Sequence, residues 1–403
     1  MSQDGEWISA DRAARLLGVK PATLYAYVSR GFIRSRSSPP GAGGRRYARA
    51  DLERHRARSL ARKGHAAVAS GALSFGEPVL DTRVSNITRD GPAYRGHAAV
   101  ALAEADTPPE RVAELLAHGT LPERTPQVPL DLASLYRLRR LVPRDAPPLR
   151  AMLLAMIHAE PRESDLVWAR ELVRLLAVSP ALARGGQPLR AALSAPTLAG
   201  ALLAALGRRA DPRARRVMQR ALVLSADHEL NASTFAARIA AGAGADLAHC
   251  LVAALGVLTG ARHGGASHRV EAFVAGLERP EHAITRVREC LAVGKAVPGF
   301  GHPLYPDGDP RAPPLIAAAE AVRRHLPGVA RALAASREAM RLAGGEGPNL
   351  DHALVVVRAA LGLPAGSASA IFAVGRAMGY VAHVFEQRAS GQLLRPRARY
   401  VGE

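Results

Sequence analysis

The 403-residue chain is poor in aromatic side chains, 4% of the total, and has only two cysteines. With so little Phe, Tyr and Trp, Leu, Val and Ala must fill the core, which suits helices better than sheets. Cys250 and Cys290 stand far apart with no Cys-x-x-Cys spacing. That argues against a disulfide framework or a metal pair and for two buried thiols. Lysine is nearly missing as well: with only Lys20, Lys63 and Lys295, 51 of the 54 basic residues are arginine. The longest apolar run, near Leu251–Leu258, falls short of the ~20 residues that span a bilayer. Met1–Glu6 has neither the basic nor the apolar stretch of an export signal, so a cytoplasmic location and no membrane partner are expected.

What is present is charge, unevenly spread. The net charge is +19, and residues 1–65 carry 14 basic against 5 acidic groups. The arginine skew is a chain-wide habit; the N-terminal excess is the part that suits a nucleic-acid partner. Within this region Ser9 is a plausible N-cap for a helix over Ala10–Leu17, which Gly18 ends. Pro21 restarts the chain at a first helical position, with Leu24, Tyr27 and Val28 at helical spacing up to Gly31. Phe32–Arg34 and Arg45–Tyr47, joined by a Pro39–Gly44 tip, read as a two-stranded wing, and Asp51 as the cap of a third helix, Leu52–Arg62. Residues 59–74 read as a linker. This unit, with Tyr27 where Trp is common, resembles the winged helix-turn-helix of the MerR and excisionase families. The resemblance implies double-stranded DNA as partner. Thr23, Tyr25, Ala26 and Arg30 would face a groove, and Lys20, Arg45 and Arg46 would hold phosphates. A protein-interaction or dimer-packing module is the structural alternative.

Beyond the linker, Pro-bounded helical patterns dominate: Pro109–His118, Leu130–Leu141, Leu149–Ile157, Ser164–Leu176, Ala191–Leu206, Pro212–Leu224, Ser233–Leu258 and Ser267–Leu277. They continue through Thr285–Val293, Pro314–Leu326, Val329–Leu342, Asp351–Leu361 and Ser367–Glu386. Strand patterns are scarce, Gly76–Asn86 and Ala93–Arg95 being the best. The expected fold is mainly α with minor β.

Three blocks carry proton-handling side chains: Ala261-Arg262-His263-Gly264-Gly265-Ala266, Gly299-Phe300-Gly301-His302 and Pro348-Asn349-Leu350-Asp351. Two histidines and a carboxylate suffice for enolisation beside a carbonyl, one group taking the proton and the others hydrogen-bonding the oxygens. Each also has a structural reading. His263 would close a helix C-terminus, His302 would be a loop histidine, and Asp351 would be a helix N-cap. Together with Ala226–Thr234 (ADHELNAST), Val297–Arg311 (VPGFGHPLYPDGDPR), Gly375-Arg376 and Arg395-Pro396-Arg397, these blocks lie in an order that resembles citrate synthases from about Phe75 to Gly402.

The resemblance implies a mainly α, two-domain all-helical body at 66–403, with a large domain (75–266 plus 365–403) and a small one (about 267–364), after the winged helix-turn-helix at 1–65. It implies condensation of acetyl-CoA with oxaloacetate and hydrolysis to citrate and CoA, or, with propionyl-CoA, 2-methylcitrate synthesis. His263 would stabilise the enol, His302 would polarise the ketone, and Asp351 would be the base. Arg311, Arg376 and Arg395 would bind the carboxylates, Arg395 reaching across a homodimer, and His228 would contact oxaloacetate. No metal and no cofactor are expected. Two departures stand out. Pro303-Leu304-Tyr305-Pro306-Asp307 has no positive charge where a basic residue usually meets the CoA phosphates, and Ser267 stands where Asn is common. The rival reading is a DNA-binding regulator whose body senses oxaloacetate or acyl-CoA.

Overall fold

The computed structural model describes residues 7–30, 32–37, 44–49, 51–52, 80–126, 130, 132–162, 164–275, 277, 279–306, 308–322, 329–396, 400 and 402. They fall into two compact units, Met1–Asp81 and Thr82–Glu403. In the first, Ser9 caps α1 (Ala10–Leu17) by accepting the Arg12 N–H, and Gly18, at φ 63°, ends it. Pro21 opens α2 (Pro21–Ser29). The sheet has one strand more than expected: β1 (Trp7–Ser9) and β2 (Ser35–Ser37) flank β3 (Arg45–Ala48), all antiparallel. The first wing strand begins at Ser35, later than Phe32–Arg34, because Asp51 captures Arg34. The Asp51 carboxylate accepts the Arg34 backbone N–H (3.0 Å) and its guanidinium (2.8 and 3.2 Å). The chain is already helical at Arg49, so Asp51 lies inside the turn it was expected to cap. Ala13, Ala14, Leu24, Ile33, Tyr47 and Leu52 form the small core, with Tyr27 and Val28 packed against it. Most of the wing tip, the third helix beyond Leu52 and the linker lie outside the described residues.

The second unit opens with an antiparallel sheet, β4 (Ser85–Thr88), β5 (Gly91–Tyr94) and β6 (His97–Ala98), and is otherwise helical. The strand expected over Gly76–Asn86 starts only at Ser85; residues 76–79 lie outside the described set. Two expected helices are each a pair. Ala191–Leu206 breaks at Ala195-Pro196 into Gly186–Ser194 and Leu198–Ala205, Thr197 capping the second. Ser233–Leu258 breaks into Ala232–Gly242 and Leu247–Leu258, where Gly244 adopts φ 84° and Asp246 caps the next helix. A short helix, Ala99–Glu104, was not foreseen. Cys250 is buried, but Cys290 is only half-buried, contrary to the expected pair of buried thiols; both are free.

The core is mainly Leu, Val and Ala. At its centre runs helix Ser367–Ser390, against Pro109–His118, Pro212–Leu224, Ala232–Gly242, Leu247–Leu258 and Leu350–Ala360. It is long and apolar enough to cross a membrane, yet 89% of its most apolar window is buried within the chain, as befits a core helix. Gly375 and Gly379 lie one turn apart on it. A Cβ at Gly375 would come within 2.8 Å of the Leu222 carbonyl oxygen, and one at Gly379 would overlap the Asp227 carboxylate. The Gly379 N–H donates to Ala226 O at 3.1 Å. Bare backbone at both positions lets residues 222–227 lie directly on the helix. Gly379→Ala should therefore cost about 1–3 kcal/mol and lower Tm by roughly 3–10 °C. A thermal scan indistinguishable from wild type would refute this close fit.

Candidate active site

The loop between helices Pro212–Leu224 and Ala232–Gly242 is held from several sides. Asn231 caps the second helix through the Ser233 and Thr234 N–H groups. Glu229 adopts φ 55°, a left-handed conformation uncommon outside glycine. The buried Asp227 Oδ2 accepts the Ser85 hydroxyl and the Glu229 N–H (3.1 Å) and lies 3.2 Å from His383 Nε2. Burial pushes this carboxyl up, but His383, Arg376 and Ser85 outweigh it and hold it below the ordinary range. His228, between Asp227 and Glu229, is 8% exposed, with Nε2 2.9 Å from the Tyr305 hydroxyl. Burial first, then Arg311, Arg376 and His302, keep its imidazole neutral.

His263 sits in the turn after helix Leu247–Leu258. A Cβ at Gly264 would overlap the Leu258 carbonyl oxygen, so the turn closes only around glycine. His263 Nε2 is 2.6 Å from Ser233 Oγ, which accepts the Tyr380 hydroxyl (2.7 Å) and lies 2.7 Å from Asn231 Oδ1. Ser233 has one hydrogen to give. Given to Asn231, it leaves His263 protonated on Nε2; given to Nε2, it places the imidazole proton on Nδ1. Burial, aided by Arg376, lowers His263 to about 4, so it is neutral at pH 7.

Two distant blocks are stitched together backbone to backbone. Phe300 bridges Pro348, Gly301 N donates to Gly347 O and Asn349 N to Gly299 O (2.9 Å each), and Asn349 Nδ2 reaches Gly301 O at 3.0 Å. Gly299 and Gly301 adopt φ 86° and 75°. This junction sets His302 beside helix Leu350–Ala360. Asn349 is that helix's cap, accepting the His352 N–H, so Asp351 lies in the first turn and is no cap. His302 Nδ1 accepts the Leu304 N–H (3.1 Å), which leaves the proton of the neutral ring on Nε2. Its ring lies 5.1 Å from that of His228 and 4.8 Å from that of Tyr305. Burial and Arg311 lower it to about 4, against Asp309. Asp351 Oδ1 accepts the Ser267 hydroxyl at 2.6 Å, and burial raises this carboxyl above its ordinary 3.8.

Asp309 grips Arg311 with two bonds (2.9 and 2.8 Å) and also accepts the Arg311 and Leu350 N–H groups, fixing the arginine to the helix of Asp351. Arg311 Nη1 makes no hydrogen bond among the described residues. Arg376 is 2% exposed; its Nε donates to Ser225 O (2.9 Å) and its guanidinium lies 4.6 Å from the Phe372 ring centroid. Neither of its Nη atoms has a hydrogen bond, and it has no ion pair, among the described residues. A buried guanidinium so placed is costly without an anion.

The chain thus brings six of the seven expected site residues together. Arg376 acts on His263 and His228; Arg311 acts on His228, His302 and Asp351. Arg395 is exposed, and among the described residues no hydrogen bond or ion pair ties it to the cluster. Residues not foreseen include Ser233, Tyr305, Asp309 and Asp227, which lie inside the recognised blocks, and Ser85 and His383, which lie outside them. Among the described residues no group of three or more His, Cys, Asp or Glu is placed to hold a metal ion. In the first unit Lys20, Tyr25, Arg30 and Arg45 are exposed, while Thr23, Ala26 and Arg46 are half-buried.

The family profile described as citrate synthase, C-terminal domain, matches residues 74–397, and that of a helix-turn-helix domain matches 7–59. The putative citrate synthase 2 of Mycobacterium tuberculosis is 38% identical over 198 residues, 48% of this chain and 52% of that protein. The chain therefore spans about half the length of that relative. The citrate synthase of Mycolicibacterium smegmatis and the 2-methylcitrate synthase 2 of Corynebacterium glutamicum are each 30% identical over 339 residues, 77% of this chain and 88% of theirs. The crystal structure of Thermotoga maritima citrate synthase superposes with a TM-score of 0.70 at 25% identity, covering 83% of this chain and 96% of that one. The Thermoplasma acidophilum enzyme, in a ternary complex with carboxymethyl coenzyme A and oxaloacetate, shares the fold with a TM-score of 0.70 at 23% identity and the same coverage. With the profile matched from residue 74 to 397 around this cluster, the chain belongs to the citrate synthase family.

Proposed function

We propose that the chain condenses acetyl-CoA with oxaloacetate and hydrolyses the product to citrate and CoA. The observation that carries this reading is a pair of buried arginines: Arg376, with no hydrogen bond to either Nη among the described residues, acts on the neutral His263 and His228, and Arg311 acts on the neutral His302 and on Asp351, a carboxyl raised by burial. Asp351 takes a methyl proton from acetyl-CoA, and His263, with Ser233 donating to Nε2, gives an Nδ1–H bond to the thioester oxygen. The enol carbon attacks the oxaloacetate ketone, whose oxygen receives the Nε2 proton of His302. Arg311, Arg376 and His228 hold the carboxylates. Water then releases CoA. The ternary complex of the Thermoplasma acidophilum relative supports these substrates. The relative from Corynebacterium glutamicum supports propionyl-CoA as the alternative, one methylene larger and worth only ~1–3 kcal/mol of discrimination. Competing kcat/KM values for the two thioesters decide between them.

Arg395, exposed in the single chain, completes the site of a second subunit in a cytoplasmic homodimer. The first unit binds double-stranded DNA, its helix-turn-helix match being the support. A regulator that only senses its ligands is the rival; the absence of positive charge in the sequence Pro303-Leu304-Tyr305-Pro306-Asp307 favours it.

Asp351→Asn and His302→Ala should each lower kcat by about two to four orders of magnitude. Thiol release from acetyl-CoA, with and without oxaloacetate, measures this, and wild-type turnover in either variant refutes the assignment. Mixed dimers of Arg395→Ala with Asp351→Asn should regain partial activity; verified mixed dimers without it would mean that each site is built from one chain. DNA affinity in gel shifts should fall steeply with salt, with a slope shallower by about one in Arg46→Ala. If neither the full chain nor its variants shift duplex at low salt, the DNA partner is wrong.

A further inference from the structure

Ser267 is fully buried in the first turn of helix Ala266–Val274. That helix packs against Leu350–Ala360, and Gly299 sits in the same contact, where a Cβ would come within 2.8 Å of Val270 and 3.1 Å of His352. The Ser267 hydroxyl therefore has a fixed neighbour, Asp351 Oδ1 at 2.6 Å. No other donor reaches this carboxylate among the described residues, and no cation lies within ion-pair distance of it. The charged groups facing it are committed or more distant: Arg311 is held by both oxygens of Asp309, and Arg269 acts only at longer range.

We infer that Ser267 is the positioning residue of the Asp351 base: its hydroxyl occupies Oδ1, orients the carboxylate and leaves Oδ2 to take the substrate proton. This rests on the base assigned to Asp351 above. A hydroxyl has a single hydrogen, and that of Ser267 goes to Oδ1 from a buried, fixed position. It is also the donor that opposes the effect of burial on the anion, as Arg311 and Arg269 do from farther off and Asp309 does not. The departure from Asn at this position is then a change at the base, with no bearing on the CoA phosphates.

The test is the pH profile of kcat and KM for the full chain, read by thiol release, in Ser267→Ala, Ser267→Cys and Ser267→Thr. Loss of the hydroxyl in Ser267→Ala should lower kcat about tenfold and leave KM for the thioester within about twofold. Its acid limb should move to higher pH by about one unit, because the carboxylate loses the hydroxyl donor. Ser267→Cys, a weak donor of similar size, should move the same way and replaces the alanine variant if that one fails to fold. Ser267→Thr, which keeps the hydroxyl, should restore the wild-type limb. An unmoved limb in Ser267→Ala, or equal losses in the Ala and Thr variants, overturns the inference while leaving the Asp351 base intact. A wild type inactive with every thioester overturns both.

Discussion

The close approach of residues 222–229 to helix Ser367–Ser390 is the constraint from which the site follows. Gly375 and Gly379 remove two side chains from the helix surface, and the backbone fills the space. On the neighbouring stripe, Phe372, Arg376 and Tyr380 repeat at four-residue spacing. The glycines bring Ser225 O to Arg376 Nε and Asp227 to His383, while Tyr380 reaches Ser233 and so His263. One helix thus fixes the charge, the loop of His228 and the hydrogen-bond chain behind His263. A methyl group at either glycine would disturb all three together.

Electrostatics then set the protonation states. Two buried arginines press on three histidines, and burial presses the same way, so the imidazoles remain neutral hydrogen-bond partners. Asp309 keeps Arg311 charged against burial by spending both oxygens on it, and its own charge disfavours the anion of Asp351. Asp351, the proposed base, is thus a carboxyl whose charged form both burial and Asp309 disfavour. A base held in this way is stronger than an exposed one.

Much of this was legible in the sequence, and the gaps have physical causes. Pro109–His118, Pro212–Leu224 and Val329–Leu342 have the bounds that their apolar spacing gives, since Pro or charge marks their ends. Ser233–Leu258 read as one helix because its alanines are good helix formers on both sides of Gly244, and only the Asp246 cap marks the restart. Of the three catalytic candidates, His263 and His302 were visible in Gly-rich turns and Asp351 at a helix start. The stitching of Gly299–Gly301 to Gly347–Asn349 was not, because all but one of its bonds, that of the Asn349 amide, join backbone groups far apart in sequence. Ser85 and His383 were missed for a related reason: a serine in a short strand and a histidine in a core helix acquire meaning only from the buried carboxylate they share.

Ser85 has one more consequence, for where the chain can be divided. The second unit begins at Thr82, and within four residues the Arg83 N–H is bonded to Glu386, which also holds Arg238, and the Ser85 hydroxyl is bonded to Asp227. A fragment starting after Ser85 would strip a donor from a fully buried carboxylate, next to His228. The smallest excisable catalytic unit is therefore bounded by hydrogen bonds at residues 82–85, and a cut for isolating it belongs on the N-terminal side of Thr82.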